Sequence, residues 1–490
     1  MWLVIYFMEV ILMNLIDELK CNSTILNTKG SKYYVSTYNS NLNVFTMLTR
    51  YASESEIIRL FNNALNENTI LALSNLLYIL DIRNGKGERR LFKIIFKYLC
   101  LNHKDLALQV LPYISKLGRY DYILVGLDTP INNEVISLIK EQLNEDLVSN
   151  NPSLLAKWLP SHRTHNMNNK VAKKIMNSLN MTEKEYRKTL SILRSKINII
   201  EKNLTNKEYD NIDFNEIPTK AMLKYINTFM DKMSKEYQKY KEELKNNNAK
   251  INTNGLYVYE IIKRILNGKG DSEIFDLMWK NQRDVLNGCK TNVLVMADTS
   301  GSMTYPNNIP YATSIGLALY TAERNNGIFK NHFMTFSDEP YFQEIKGNTI
   351  EEKVNNIPCY VANTDIDKAF ELLLNTAKEN NINESEMPSH LLIISDMEFD
   401  AGVYSKTGTN FKGWKKAFKD AGYKLPKIVF WNVAGSTHGV PITKYDKDAV
   451  LISGFSTNVL DNILTIEKYD PYDVMLNKLS VYIEMLTKRD

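Results

Sequence analysis

Val293 to Met303, VLVMADTSGSM, ends a strand-biased segment on Asp298 and follows it with Thr299, Ser300, Gly301 and Ser302. One carboxylate and two serine hydroxyls are thereby placed on a tight turn at the carboxyl end of a buried strand. Hard divalent cations take oxygen ligands in this mixture, and Mg²⁺ prefers one or two carboxylates with neutral oxygens and water. The carboxyl edge of a parallel sheet is also where open α/β folds bind ligands. Taken alone, the run also reads as a strand followed by an ordinary Asp/Ser/Gly turn.

Two further segments add donors. Asn363-Thr364-Asp365 precedes an amphipathic helix, and His390 to Asp396, HLLIISD, is a second apolar strand ending on a carboxylate, followed by Met397 and Glu398. Three loops thus offer oxygen ligands, two of them after buried strands. Asp-x-Ser-x-Ser, then a Thr, then an Asp resembles the metal-ion-dependent adhesion site of the von Willebrand factor A fold. Asp298, Ser300, Ser302, Thr364 and Asp396 match its five positions. The resemblance spans about the last two hundred residues, a size that suits one domain. It implies that the hydroxyls coordinate Mg²⁺ (or Mn²⁺) and that the aspartates ligate it directly or through water. With two carboxylates the ion stays roughly charge-balanced, so its sixth position is open to an Asp or Glu of a protein partner, or to water.

A catalytic reading finds less support. Asp298 stands where phosphotransferases place a strand-end Asp nucleophile, but the second Asp expected two residues later is Ser300. His332, His390 and His438 have no motif relation to a carboxylate or nucleophile. The residues describe a binding site, with no nucleophile beside a base.

The elements that must position these residues can be outlined. A chain of 490 residues is long enough for two or more domains, and 44% hydrophobic and 24% charged residues suit a globular protein. Strands are expected at 292–297, 332–336, 391–395, 428–433 and 450–453. Helices are expected at 311–325, 366–380, 411–421 and 471–486. This alternation predicts a doubly wound, mostly parallel sheet over residues 290–490. Residues 1–289 read as a helical module. Apolar stripes run through Ile57, Ile58, Leu60, Phe61 and Leu65, and through Leu91, Ile94, Ile95 and Tyr98. Thr69–Leu80 is almost wholly apolar and reads as a central buried helix. Thr182 to Glu185 forms a capping box. The charge-dense 231–250 stretch reads as a long exposed helix or the end of one running into a loop. Stacked helical pairs of the α-solenoid kind account for the pattern, without a clean repeat. Asn287-Gly288 marks the boundary. The fold class is therefore α + α/β.

Charge divides the same way. Residues 291–490 hold 25 acidic against 19 basic residues, and the rest hold 31 against 41. Asp81 to Arg90 places Arg83, Lys86, Arg89 and Arg90 around Gly85 and Gly87 at a helix start, where phosphate can bind. A second basic patch contains Lys157, His162, Arg163, His165, Lys170, Lys173 and Lys174. These residues also suit an ordinary solvated face. The basic footprint, Arg83, Lys86, Arg89, Arg90, Lys157 and Arg163 above all, gives a second candidate partner, single-stranded or structured RNA. Tyr33-Tyr34, Tyr113 and Tyr120 are expected in the core or an interface.

The segments RNGKGER, LGRYDY, AKWLPS, FWN and SGFS resemble a family of unknown function found in plants, bacteria and giant viruses, which carries a similar metal-site domain at its carboxyl end. More distantly, a helical module before an A-like domain is similar to the TROVE-type Ro autoantigen, whose helical ring takes single-stranded RNA ends. Architecture alone carries that likeness, and architecture does not fix function.

Four scattered cysteines, Cys21, Cys100, Cys289 and Cys359, suit free thiols in a reducing compartment. Trp2 to Met13 is apolar except for Glu9, too short to span a bilayer and without a secretory cleavage site. It reads as a helix packing on the core, or as a start placed ahead of the true one at Met13. No membrane partner is expected. A cytoplasmic location is, or the virion if the chain is viral.

Overall fold

The computed structural model describes residues 24–27, 29–162, 166–197, 199–253, 255–287, 291–336, 339–357, 365–400, 409–434, 439–466 and 469–488. The apolar amino-terminal run, Gly288, Thr364, Arg163, His165, His438 and the cysteines other than Cys100 lie outside them. The chain combines helical structure with a mostly parallel six-stranded sheet.

Two strands, β1 (Thr24–Leu26) and β2 (Lys32–Tyr34), form an antiparallel hairpin. The sheet is built from β3 (Val293–Asp298), β4 (His332–Phe336), β5 (Tyr341–Glu344), β6 (His390–Ser395), β7 (Lys427–Asn432) and β8 (Ala449–Ser453). Their order is β5-β4-β3-β6-β7-β8, with only the β4–β5 pair antiparallel. β3 and β6 are buried at every position. Central parallel strands are covered on both faces, so their sequences run apolar without alternating. The chain leaves β3 toward β4 on one side and later returns to β6 on the other. The crevice between the carboxyl ends of β3 and β6 is therefore the switch point, where open α/β sheets bind ligands.

The five anticipated strands are present within a residue at either end. β5 is an edge strand with Tyr341 and Phe342 exposed and only Gln343 turned inward. It has no apolar run to announce it. Helices Ile309–Arg324, Ile366–Glu379, Asn410–Asp420 and Pro471–Thr487 flank the sheet strands in sequence. Helix Val258–Leu266 packs closely on Ile309–Arg324 at Gly316, where a Cβ would stand 3.1 Å from side-chain atoms of Val258 and Ile262.

The compact units do not follow a single division at 289/290. The sheet unit takes the described residues up to Asn75, residues 84–86 and those from Gly255 onward; the helical unit takes 76–83 and 87–253. Helix Ser40–Met47 packs on β8, and its Leu42, Val44 and Phe45 are buried. Helical periodicity gives a segment an apolar face but does not say which surface that face will meet.

The helical unit includes Arg89–Asn102, Asn132–Val148, Asn166–Ser178, Glu183–Lys196, Thr219–Lys232 and Ser234–Lys245. The capping box is formed: Thr182 Oγ1 accepts from Glu185 N at 3.3 Å, and the Glu185 carboxylate accepts from Thr182 N at 2.8 Å. The 231–250 stretch is not one long exposed helix; of the two expectations, the end of a helix running into a loop holds, since Ser234–Lys245 ends at Asn246. The chain breaks at Met233, and Ser234–Lys245 buries Tyr237 and Tyr240 against Phe214. Among the described residues, no helix is long and apolar enough to cross a membrane.

Candidate metal centre and basic groove

Asp298 closes β3 with its side chain fully buried. Its Oδ1 accepts from Ser300 N at 2.9 Å, and its Oδ2 accepts from Ser395 Oγ at 2.6 Å. The first bond folds the chain tightly after the strand, as an Asx turn does. The second comes from the last residue of the neighbouring strand, β6. Burial first, and the charge of Asp396 second, push the Asp298 carboxyl up to about 7, against the opposing pull of its bonds from Ser395 and Ser300. A carboxylate deprived of water resists ionisation unless a positive charge replaces the lost hydration.

Asp396 follows β6 directly and is buried. Its Oδ1 accepts from Glu398 N at 3.0 Å. Ser395 Oγ is 2.6 Å from Asp298 Oδ2 and 3.5 Å from Asp396 Oδ1, so one hydroxyl stands between the two carboxylates. The same Oγ accepts from Met397 N at 3.0 Å, which leaves its own proton for Asp298. On the other side of the turn, Ser300 Oγ and Ser302 Oγ are 3.0 Å apart. Ser300 is buried, whereas Ser302 is exposed and gives the cluster a solvent-facing side.

Asp298, Ser300, Ser302 and Asp396 are therefore gathered at the switch point. Thr364 lies outside the described residues; its neighbour Asp365 caps helix Ile366–Glu379, accepting from Lys368 N at 3.3 Å. These residues fit a hard divalent cation. All donors are oxygens and two are carboxylates; among the described residues no group of three or more His, Cys, Asp or Glu is placed to hold a metal ion, so the serine oxygens would have to complete the set. The two serine hydroxyls are hydrogen-bonded to each other at 3.0 Å, a separation that neighbouring oxygens around an octahedral ion with bonds of about 2.1 Å could also keep.

Sequence reasoning missed Ser395 and Tyr33. Ser395 stands one residue before Asp396 in HLLIISD, so the motif contained a signal for it. Tyr33 donates to the carbonyl oxygen of Met397 at 2.6 Å across 364 positions of sequence, and nothing local announces that contact.

The described basic candidates differ in their surroundings. Lys86 is 1% exposed, and its ammonium donates to Phe45 O and Ser453 Oγ within the sheet unit. A buried ammonium needs such partners, and these take it out of reach of an anion. This corrects the expectation that it faces phosphate. Arg83 is exposed and donates to Lys116 O at 3.3 Å. Arg90 is exposed on the first turn of Arg89–Asn102. Arg163 lies outside the described residues.

Arg89 and Lys157 line a groove of about 1550 Å³ in the helical unit. Among the described residues that line it, nine are Lys or Arg and two are carboxylates, Asp121 and Glu201. Arg89 and Lys93 pair with Asp121 at 3.1 and 3.3 Å, and Lys157 approaches Glu201 at 3.6 Å. The Arg194 guanidinium is held by Ala156 O, Leu159 O and Ser161 Oγ. Arg119 lies 3.6 Å over the Trp158 ring and takes up one of its faces. Cys100, buried, has its thiol pushed up to about 12 by desolvation and is unreactive at neutral pH.

Two family models match the chain. A domain of unknown function (DUF2828) covers residues 134–295, and another (DUF7788) covers residues 292–481. The sheet strands and the four described metal-site candidates lie inside the second match. An uncharacterised protein of Acanthamoeba polyphaga mimivirus is 29% identical over 501 aligned positions, covering 93% of this chain and 87% of that protein. Together the matches fit a family of unknown function represented in giant viruses.

Proposed function

We propose that the chain is a non-enzymatic binding protein whose sheet unit holds Mg²⁺, or Mn²⁺ in its place, and through it captures an acidic group of a protein partner. The fold around the site is read as von Willebrand A-like. Asp298, Ser300, Ser302 and Asp396 hold the ion, with Thr364 the remaining ligand on the resemblance described above. The bound ion supplies an electrophilic centre with an open coordination position. The chain's own residues do the rest. Asp298 and Asp396 bring negative charge, Ser300 and Ser302 bring neutral oxygens, and Ser395 fixes the Asp298 carboxylate by donating to one of its oxygens.

The observation that carries this reading is the enclosed Asp298 carboxylate, pushed up to about 7 beside Asp396 and next to two serine hydroxyls 3.0 Å apart. A bound cation would replace the hydration that this carboxylate loses on burial. The test is calorimetric titration of the full chain with Mg²⁺ and Mn²⁺, wild type against Asp298→Ala. The wild type is expected to bind one ion and the variant none, with an unchanged far-ultraviolet circular dichroism spectrum. Equal affinity in the two proteins overturns the reading.

The basic groove favours a second reading, an RNA-binding protein. Its excess of cations over carboxylates suits a phosphate backbone. Binding of an RNA with a single-stranded tail should then weaken steeply with salt. Affinity that does not change with salt, or no binding at low salt, rejects this reading.

A further inference from the structure

The amino-terminal hairpin lies against the loop that carries Asp396, within the same compact unit. Asn27 Nδ2 donates to Phe399 O at 2.8 Å, Ser31 Oγ to Asp400 O at 2.5 Å, and Tyr33 Oη to Met397 O at 2.6 Å. Gly30 and Asp400 form an antiparallel bridge, and the Tyr33 ring stacks on Phe399 with centroids 6.4 Å apart. Tyr33 is 3% exposed.

One of these bonds differs from the rest. The Met397 carbonyl and the Glu398 N–H belong to a single peptide group. That group is planar, and in the trans form its C=O and N–H point in opposite directions. The carbonyl end accepts from Tyr33, and the N–H end donates to Asp396 Oδ1 at 3.0 Å. Met397 itself has φ +66°, a left-handed conformation that a residue with a side chain adopts only when its surroundings hold it there. Its own N–H reaches Ser395 Oγ, which in turn donates to Asp298.

We infer that Tyr33 is a positioning residue for the candidate metal centre: its hydroxyl fixes the Met397–Glu398 peptide so that the N–H faces Asp396, which fixes one carboxylate oxygen and leaves the other free. Without that bond the peptide can rotate and turn its carbonyl, a negative dipole end, toward Asp396. Donation into the carbonyl also polarises the peptide and strengthens the N–H as a donor. The inference rests on the metal-binding reading above and adds a residue from a remote part of the chain to it.

The test measures Mn²⁺ affinity by calorimetry on the full chain for wild type, Asp298→Ala, Tyr33→Phe and Ser31→Ala. Tyr33→Phe keeps the ring and its stacking on Phe399. It removes the bond to Met397 O and the hydroxyl's hydrogen bond with the Phe399 backbone, and should weaken Mn²⁺ by about five-fold, the value of one net hydrogen bond at the Met397–Glu398 peptide. Ser31→Ala loosens the hairpin two residues away and should leave the affinity unchanged. Equal loss in both variants means general loosening and overturns the inference, as does wild-type affinity in Tyr33→Phe. Absence of metal binding in the wild type fails the underlying reading instead, so the two failures are distinguishable. Should Tyr33→Phe not fold, amide hydrogen exchange on metal-free wild type decides: the Glu398 amide should be protected, and rapid exchange overturns the inference.

Discussion

A carboxylate enclosed as fully as Asp298 is must be neutralised by a proton or by a cation. Unfolded, its pKa is the ordinary 3.8; in the folded chain it is about 7. Between those values the native state holds a proton that the unfolded state has lost. Stability therefore falls as pH rises through this window, because the unfolded state binds fewer protons. Metal-free wild type is expected to lose melting temperature between about pH 4 and 7 relative to Asp298→Asn, whose amide does not titrate; parallel profiles contradict the shift. The metal is expected to compete with this proton, so affinity should rise with pH up to about 7. Calorimetry in buffers of different ionisation heat would detect the released proton. That Asp298, Ser300, Ser302 and Asp396 come together was legible because oxygen donors right after apolar runs stand out in a sequence. Ser395 was in view in the same run, but its role depends on a cross-strand distance. Tyr33 was illegible because its partner is a backbone carbonyl, which no residue type announces.

The segments that hold these residues are ordinary strands and helices whose connections put them to use. β3 and β6 were legible as continuous apolar runs, and their adjacency brings Asp298 and Asp396 together. β5 was missed because an exposed edge has no apolar pattern to keep. The hairpin of β1 and β2 was missed because three-residue strands are too short to show a period. Lys86 shows the opposite error, where a basic residue in a basic run was read as surface. Helix Ser40–Met47 and β8 enclose its ammonium, which donates to Phe45 O and Ser453 Oγ. Ser453 Oγ also donates to Phe45 O at 3.1 Å, so that carbonyl keeps a partner when the lysine is removed. Lys86→Met is therefore expected to cost about 1–2 kcal/mol, the range for a lost charged hydrogen bond with partial compensation. Urea unfolding would measure it. RNA affinity should be unchanged in this variant, and a large loss would return Lys86 to the anion-binding surface.

The chain as a whole separates two kinds of chemistry. The carboxyl-terminal part is acidic on balance and gathers carboxylate and hydroxyl oxygens at the carboxyl ends of β3 and β6, whereas the helical unit gathers cationic side chains around a groove. The broad α + α/β character was legible from element alternation. The composition of the compact units was not, because residues 24–75 find their partners on the sheet unit, more than two hundred positions away. Charge-reversing Lys184, Lys188 and Lys202 together should lower RNA affinity and flatten its salt dependence, while Mg²⁺ affinity stays at the wild-type value; a shift in metal affinity would contradict the independence of the two sites. Anomalous diffraction from crystals of the full chain soaked in Mn²⁺ would locate a cation at the β3–β6 switch point. One peak is expected within about 2.2 Å of the Ser300 and Ser302 hydroxyl oxygens, next to Asp298 and Asp396. A Mn²⁺ peak elsewhere, with none at the β3–β6 switch point, would contradict the proposed site.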